Sequence, residues 1–247
     1  MYKVNFLVYG YPGTSPTHGS LGWSTIALVS NKDQHIVVDG GSFRIRQLLI
    51  QQLRHLNLGL NDISLVLLTH AHWDHAVNWT LFPNATVVLS KVDLDWALQE
   101  PPAGWHVPEL YIHALAQSPQ LRLVADKEEI LPGLTTHQVA GHTPGHLAYY
   151  LESEPHDWLF AGDAVKNRAE LLSRHADMTM DEPSSTASIL YLWDLWNRRT
   201  GTVFVPGHDL PMTLTDGQPT YAAQREASIT AWFGNDLTDT TSISLQP

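Results

Sequence analysis

Three short apolar or β-branched runs, at 4–9, 25–29 and 35–38, open the chain, each bounded by Gly, Pro, Asn or Asp, and this punctuation predicts strands joined by turns. After Gly40-Gly41 the period changes. Apolar residues recur at Ile45, Leu48, Leu49, Leu53 and Leu56, the spacing of a helix with one buried face, and Leu58-Gly59 ends it. Further strands are predicted at 65–68 and 86–89. From 93 to 120 the strand signals vanish, and Trp96, Trp105 and Tyr111 sit among prolines, which predicts an insertion or lid. Strand-like runs return at 121–124, 135–139, 147–151 and 158–160. A helix starting near Pro183 carries Ile189, Leu192, Trp193 and Trp196 on its apolar face. A strand at 202–205 and a last helix at 221–233, with Ala222, Ile229 and Phe233 among its apolar positions, complete the pattern. Residues 235–247 are polar and read as a loose tail. Strands followed by helix, twice over and with no linker between, make residues 1–234 one α/β domain.

A chain of 247 residues, 43% hydrophobic and 16% charged, has the length and composition to bury a substantial core. It contains no cysteine, which excludes disulfides, thiolate zinc sites, iron–sulfur clusters and a cysteine nucleophile. Any metal must therefore be held by nitrogen and oxygen. With Lys+Arg 14 against Asp+Glu 25, the formal charge of −11 opposes a large nucleic-acid surface, because neutralising phosphates takes clustered cations; a small phosphodiester substrate stays open. The N-terminus lacks a secretory pattern and no segment approaches the roughly 18 apolar residues of a membrane span, so the expectation is a cytoplasmic protein without membrane attachment. Neither Gly-x-Gly-x-x-Gly, a Walker sequence nor Gly-x-Ser-x-Gly occurs, which removes support for a nucleotide cofactor or a serine hydrolase.

The chemistry lies in the histidines. His70-Ala71-His72-Trp73-Asp74-His75 places three imidazoles and a carboxylate directly after a predicted strand. Positions 70 and 72 of an extended chain project to the same side and converge on one ion, while Asp74 and His75, in the first turn of a helix, suit a second. His142, Asp163 and His208 each follow a later predicted strand, beside glycines that let the backbone turn tightly. Neutral imidazole and carboxylate are good ligands for divalent zinc. The remaining histidines, His18, His35, His55, His106, His113, His137, His156 and His175, read as ordinary surface or hydrogen-bonded residues. His146 reads equally as a support for a ligand or as a strand residue. Trp193 and Trp196 read as helix core, and Trp96, Trp105 and Tyr111 as candidates for a substrate wall.

The run His-x-His-x-Asp-His, followed by separated His, Asp and His after strands, resembles the signature of the metallo-β-lactamase superfamily, and Asp39-Gly40-Gly41 resembles its Asp-x-Gly turn. The resemblance spans nearly the whole chain and implies a four-layer αβ/βα sandwich. It further implies two divalent metal ions, zinc first and manganese, iron or cobalt as alternatives. His70, His72 and His142 would hold one, Asp74, His75 and His208 the other, and Asp163 would bridge them. A bridging hydroxide would be the nucleophile, with Asp74 also handling its proton, and Asp39 would orient a ligand from behind.

A bridging Asp163 in place of Cys resembles the lactonase, glyoxalase II and phosphodiesterase branches, and the motif spacing is most like acyl-homoserine lactonases, which implies a small lactone or ester substrate. Those lactonases carry a Tyr a few residues beyond the bridging Asp; here the run is Ala164-Val165-Lys166-Asn167, so Lys166 or Asn167 is expected to polarise the carbonyl. A phosphodiesterase, nuclease or thioesterase of the same fold is the alternative, and a non-catalytic metal-binding protein is the alternative of another class. A small-molecule substrate is the expected partner, with a homodimer implied by the apolar insertion.

Overall fold

The computed structural model describes residues 1–17, 19–101 and 106–246. In chain order the strands are β1 (Lys3–Val8), β2 (Thr14–Ser15), β3 (Gly19–Ser20), β4 (Ile26–Ser30), β5 (His35–Val38), β6 (Leu65–Leu67), β7 (Thr86–Ser90), β8 (Leu121–Val124) and β9 (Glu129–Leu131). They continue with β10 (Leu134–Gln138), β11 (Leu147–Leu151), β12 (Trp158–Gly162), β13 (Val203–Pro206), β14 (Met212–Thr215), β15 (Gln218–Tyr221), β16 (Ser228–Ala231) and β17 (Thr241–Ser244). The helices are α1 (Arg46–His55), α2 (Trp73–Ala76), α3 (Lys91–Ala97), α4 (Glu109–Ala116), α5 (Arg168–Ser173) and α6 (Glu182–Trp196).

Two sheets face each other. One runs β1-β4-β5-β6-β7-β8, the other β15-β14-β13-β12-β11-β10-β9. Strand alternation explains why both faces of each are buried. On β5, Ile36 and Val38 enter the layer between the sheets while Val37 points to the helices outside; on β6, Leu65 and Leu67 go inward and Val66 outward. Tyr149, Leu151, Phe160 and Val205 fill the inter-sheet layer from the second sheet. The outer face of the first sheet is covered by α1 through Leu49 and Leu53, by α3 through Leu94 and Ala97, and by α4 through Ile112 and Leu115. The outer face of the second is covered by α5 and α6 through Leu171, Ile189, Leu192 and Trp196. The result is helix, sheet, sheet, helix, the four-layer sandwich expected. β5 through β8 pair parallel, as does β12 with β13, so their carboxyl ends gather at one edge.

Three expectations change. The segment read as a lid, 93–120, carries α3 and α4, whose apolar faces complete the first sheet's core. A short helix needs only two buried positions, which the proline-rich composition obscured. The helix expected at 221–233 is absent: Tyr221 ends β15 and residues 228–231 form β16. Ala222, Ile229 and Phe233 mimic helical spacing, but Ile229 pairs across the hairpin with Ile243. The tail read as loose thus contributes β17, which supplies that pairing. A signal for β14 and β15 was present in Asp216-Gly217, a hairpin turn with φ of 52° and 74° that joins the two paired strands. Among the described residues, no helix is long and apolar enough to cross a membrane.

Candidate metal centre

Strand ends deliver the chemistry to one edge between the sheets. His70 and His72 follow β6, Asp74 and His75 ride on α2, and His142, Asp163 and His208 follow β10, β12 and β13. The loops are fastened across the sheets by backbone hydrogen bonds, Leu147 N–H to Thr69 O at 2.8 Å and Thr25 N–H to Gly207 O at 2.6 Å. Tyr149 adds its hydroxyl, donated to Leu68 O at 2.6 Å.

The ligand atoms converge in three overlapping groups, His70 with His72 and His142, His70 with His75 and Asp163, and Asp74 with His75 and His208, the atoms of each lying within 4.8 Å of one another. Their chemistry fits cations between them. His70 Nε2, His75 Nε2 and Asp163 Oδ1 are buried without a hydrogen-bond partner, a costly state unless something electrophilic satisfies them. His142 Nε2 lies 3.0 Å from His72 Nδ1. Two nitrogens about 2.0–2.1 Å from a tetrahedral zinc stand about 3.3 Å apart, so the spacing suits a shared ion.

Hydrogen bonds behind the centre aim the lone pairs inward. His142 Nδ1 donates to Met178 O at 3.1 Å, which frees Nε2. Asp39 accepts from the Thr69 N–H at 2.8 Å, from the Thr69 hydroxyl at 3.0 Å and from His75 Nδ1 at 2.8 Å. Having given its proton to Asp39, the Thr69 hydroxyl accepts from His70 Nδ1 at 3.0 Å. One buried carboxylate is therefore bonded to the His75 imidazole directly and linked to that of His70 through the Thr69 hydroxyl. His146 also acts from behind: its Nε2 accepts the Asp163 N–H at 3.0 Å, and its ring stacks on His70.

The two halves of the centre differ in charge. Burial holds His70 and His142 well below the usual imidazole range and takes His72 down to about 3, so these three are neutral donors. In the other half, burial also works against protonation, but Asp163, Asp39 and Asp74 overcome it and raise His75 well above its ordinary value. Asp163 and Asp74 likewise raise His208 against burial. Burial would lift Asp163, yet His208 and His75 hold it well below the carboxylate range. Asp74 Oδ2 stands 3.3 Å from His208 Nε2 and 3.8 Å from His75 Nε2.

A cleft of about 360 Å³ opens onto this edge, lined by His72, Asp74, His142, Asp163 and His208 of the centre, by Tyr11, Pro12 and Gly13 of the N-terminal loop, and by Lys166, Asn167, Glu170, Asp177 and Met178. Lys166 and Asn167 thus both line the cleft. The Asn167 side-chain oxygen caps α5 by accepting from Ala169 and Glu170 N–H, whereas the buried Lys166 ammonium lies 2.9 Å from Glu170 Oε1. Trp96 and Tyr111 do not line the cleft. Trp96 packs against the core of the first sheet with its ring 5.8 Å from that of His72, and Tyr111 packs edge-on to Phe43. Trp105 lies outside the described residues, as does His18. The ordinary reading of His106 changes: it lines the cleft and stacks on His72 at 5.0 Å. Tyr11, which stacks on Trp23 at 4.8 Å, was not anticipated either, since no local pattern marks a residue brought to a cleft by a remote loop.

A family model of the metallo-beta-lactamase superfamily matches residues 19–208, from the N-terminal loop to the last of the candidate ligands. This chain belongs to the metallo-beta-lactamase superfamily. Among members of that superfamily, the N-acyl homoserine lactonase AiiA of Bacillus thuringiensis subsp. kurstaki is 21% identical over 163 residues, which are 66% of this chain and 62% of that protein. The chain therefore matches somewhat less than two thirds of that relative's length. A candidate metallo-beta-lactamase from Thermotoga maritima superposes with a TM-score of 0.71 at 23% identity, covering 86% of this chain and 99% of the other. AidC, a dizinc quorum-quenching lactonase solved with the product N-hexanoyl-L-homoserine, gives 0.67 at 18% identity, covering 83% and 80%. At these identities the superpositions establish the shared fold, and the His/Asp cluster supplies a set of donors suited to divalent metal.

Proposed function

We propose that the protein is a dinuclear metal-dependent hydrolase that opens a small lactone or ester. The observation that carries this reading is the pair of donor groups, His70 with His72 and His142 and Asp74 with His75 and His208, that the group of His70, His75 and Asp163 links, with His72, Asp74, His142, Asp163 and His208 lining a cleft sized for a small molecule. Likeness to acyl-homoserine lactonases supports the substrate class. Two divalent cations held there, zinc suiting these donors best, would supply Lewis acidity and water acidified to near neutral pH.

The chain's own groups do the rest. His70, His72 and His142 form one cradle, Asp74, His75 and His208 the other, with Asp163 between them. Asp74, partly exposed at the cleft, takes the proton of the attacking water on Oδ2 and returns it to the departing alkoxide. Lys166, the sole Lys or Arg among the described lining residues, is the donor assigned to the ester carbonyl, and it would have to turn from Glu170 to serve it. Asn167, committed to capping α5, is the weaker candidate. Tyr11 and Met178 offer apolar surface to a substrate tail.

The test is metal analysis joined to a hydrolysis panel of an acyl-homoserine lactone, a simple lactone, a thioester, a nitrocefin-like β-lactam and bis-p-nitrophenyl phosphate, with His72→Ala as control. About two metals per chain with chelator-sensitive turnover of the lactones is the expected result. Turnover of the phosphodiester alone would reject the lactone assignment, and fewer than one metal after reloading would reject the dinuclear reading itself.

A further inference from the structure

The two loops that carry His72 and His142 come from different sheets, seventy positions apart, and apolar burial between sheets has no direction to it. A metal site tolerates misplacement of only about 0.5 Å. Something directional must set their spacing, and the structure holds a candidate that no ligand motif includes. Asp93, in the first turn of α3, is fully buried, and none of the ion pairs formed by the described residues includes it. Its two carboxylate oxygens serve one loop each. Oδ2 accepts the N–H of Ala71, the residue between His70 and His72, at 2.7 Å. Oδ1 accepts the hydroxyl of Thr143, the residue after His142, in a short hydrogen bond, and Gly145 of the same loop lies so close to the Asp93 backbone that a Cβ there would collide with it. Ser90 fixes Asp93 in turn, its hydroxyl oxygen accepting from the Val92 and Asp93 N–H groups as the cap of α3.

We propose that Asp93 is a positioning residue that clamps the 70–72 and 142–146 loops together and thereby sets the separation of His72 and His142, tuning how tightly the three-histidine half of the centre holds its ion. The inference rests on the metal-binding reading of the site. Burying an ionisable group without a cation is expensive, and a neutral residue able to accept two hydrogen bonds would serve simple packing better. A carboxylate is the group that presents two acceptor oxygens at fixed separation with no donor of its own. The amide introduced by Asp93→Asn would keep one oxygen and turn an N–H toward either Ala71 or Thr143, so the clamp would open on one side.

The experiment is a Co²⁺ titration of the metal-stripped protein, followed by its visible spectrum and by competition with a chromophoric chelator, for the wild type, Asp93→Asn, Thr143→Val and Thr143→Ser. The wild type should take two ions. Asp93→Asn and Thr143→Val should lose about 10- to 100-fold in affinity at one site, with a changed d–d band, while the other site stays within about twofold and Thr143→Ser recovers wild-type binding. If the wild type takes no metal, the reading on which the clamp depends falls and the clamp with it. If the wild type takes two ions and the variants match it, the clamp alone is refuted. Equal weakening of both sites, accompanied by loss of metal-free thermal stability and no recovery in Thr143→Ser, would likewise overturn positioning in favour of a packing role.

Discussion

Replacing Asp39 by Asn tests whether the centre depends on hydrogen bonds from behind it. The substitution is isosteric, and Asp39 adopts a φ of 57°, a conformation Asn tolerates, so the backbone is not disturbed. What changes is the donor count. The carboxylate receives three donors, the Thr69 N–H, the Thr69 hydroxyl and the His75 Nδ1 proton, and has none to offer. An Asn can keep its oxygen toward Thr69, but its amide then meets the His75 Nδ1–H donor to donor at a distance of 2.8 Å. The conflict is relieved if His75 moves its proton to Nε2, the atom 3.2 Å from Asp163 Oδ1, and that removes the lone pair a cation needs. Recovering the metal-binding tautomer means forgoing a charge-assisted hydrogen bond, worth about 1.5–3 kcal/mol. That corresponds to about a 10- to 150-fold loss of affinity in the half built on His75. Competition between Asp39→Asn and a chelator of known affinity, with zinc at constant pH, reads this directly. The His70, His72 and His142 half should suffer less, because its link to Asp39 runs through the Thr69 hydroxyl, which can still donate to the amide oxygen. Unchanged binding of both ions would refute the orienting role, and preferential loss in the three-histidine half would refute the assignment of tautomers.

Two further outcomes are expected. Gly141 has a φ of 136°, and a Cβ there would collide with the backbone of Ser185 at the start of α6. Gly141→Ala should therefore cost on the order of 2–4 kcal/mol in urea unfolding, and a loss under about 0.5 kcal/mol, the range of an unconstrained site, would show that the loop carrying His142 yields freely. Burial raises the Asp93 carboxyl from 3.8 to about 6, against hydrogen bonds from Thr143 and Ala71 that favour its ionised form. A folded value above the unfolded one means a contribution to stability present below about pH 4 and lost as pH rises through about 6. That loss is of order 3 kcal/mol. Asp93→Asn, which does not titrate, should gain on the wild type across this interval in pH-dependent unfolding of the metal-free protein; parallel curves for the two proteins would count against it.

How much of this was legible in the chain follows from how local each cause is. Strands at 35–38, 121–124 and 147–151 have the observed bounds because β-branched and apolar runs ended by turn residues are a property of neighbouring positions. The seven candidate ligands were legible for the same reason, each sitting beside a strand end with glycine or histidine neighbours, and the structure brings all seven together. The helix expected at 221–233 failed because Ile229 is satisfied by Ile243, a partner its own spacing could not announce. Segment 93–120 was misjudged because two short helices draw their stability from a sheet that lies elsewhere in the sequence.

By itself the sequence determined which residues could hold a cation, where strands and the long α6 would form, and, through its lack of cysteine, that nitrogen and oxygen must do the binding. Only the tertiary structure decided the second tier: that Asp39 reaches Thr69 and His75, that Asp93 spans Ala71 and Thr143, that Tyr11 and His106 face the cleft while Trp96 packs on the core and Tyr111 on Phe43. The physical reason is range. Propensity and motif spacing act over a few residues, whereas orientation, burial and the resulting proton affinities arise from groups brought together by two sheets closing on a common core.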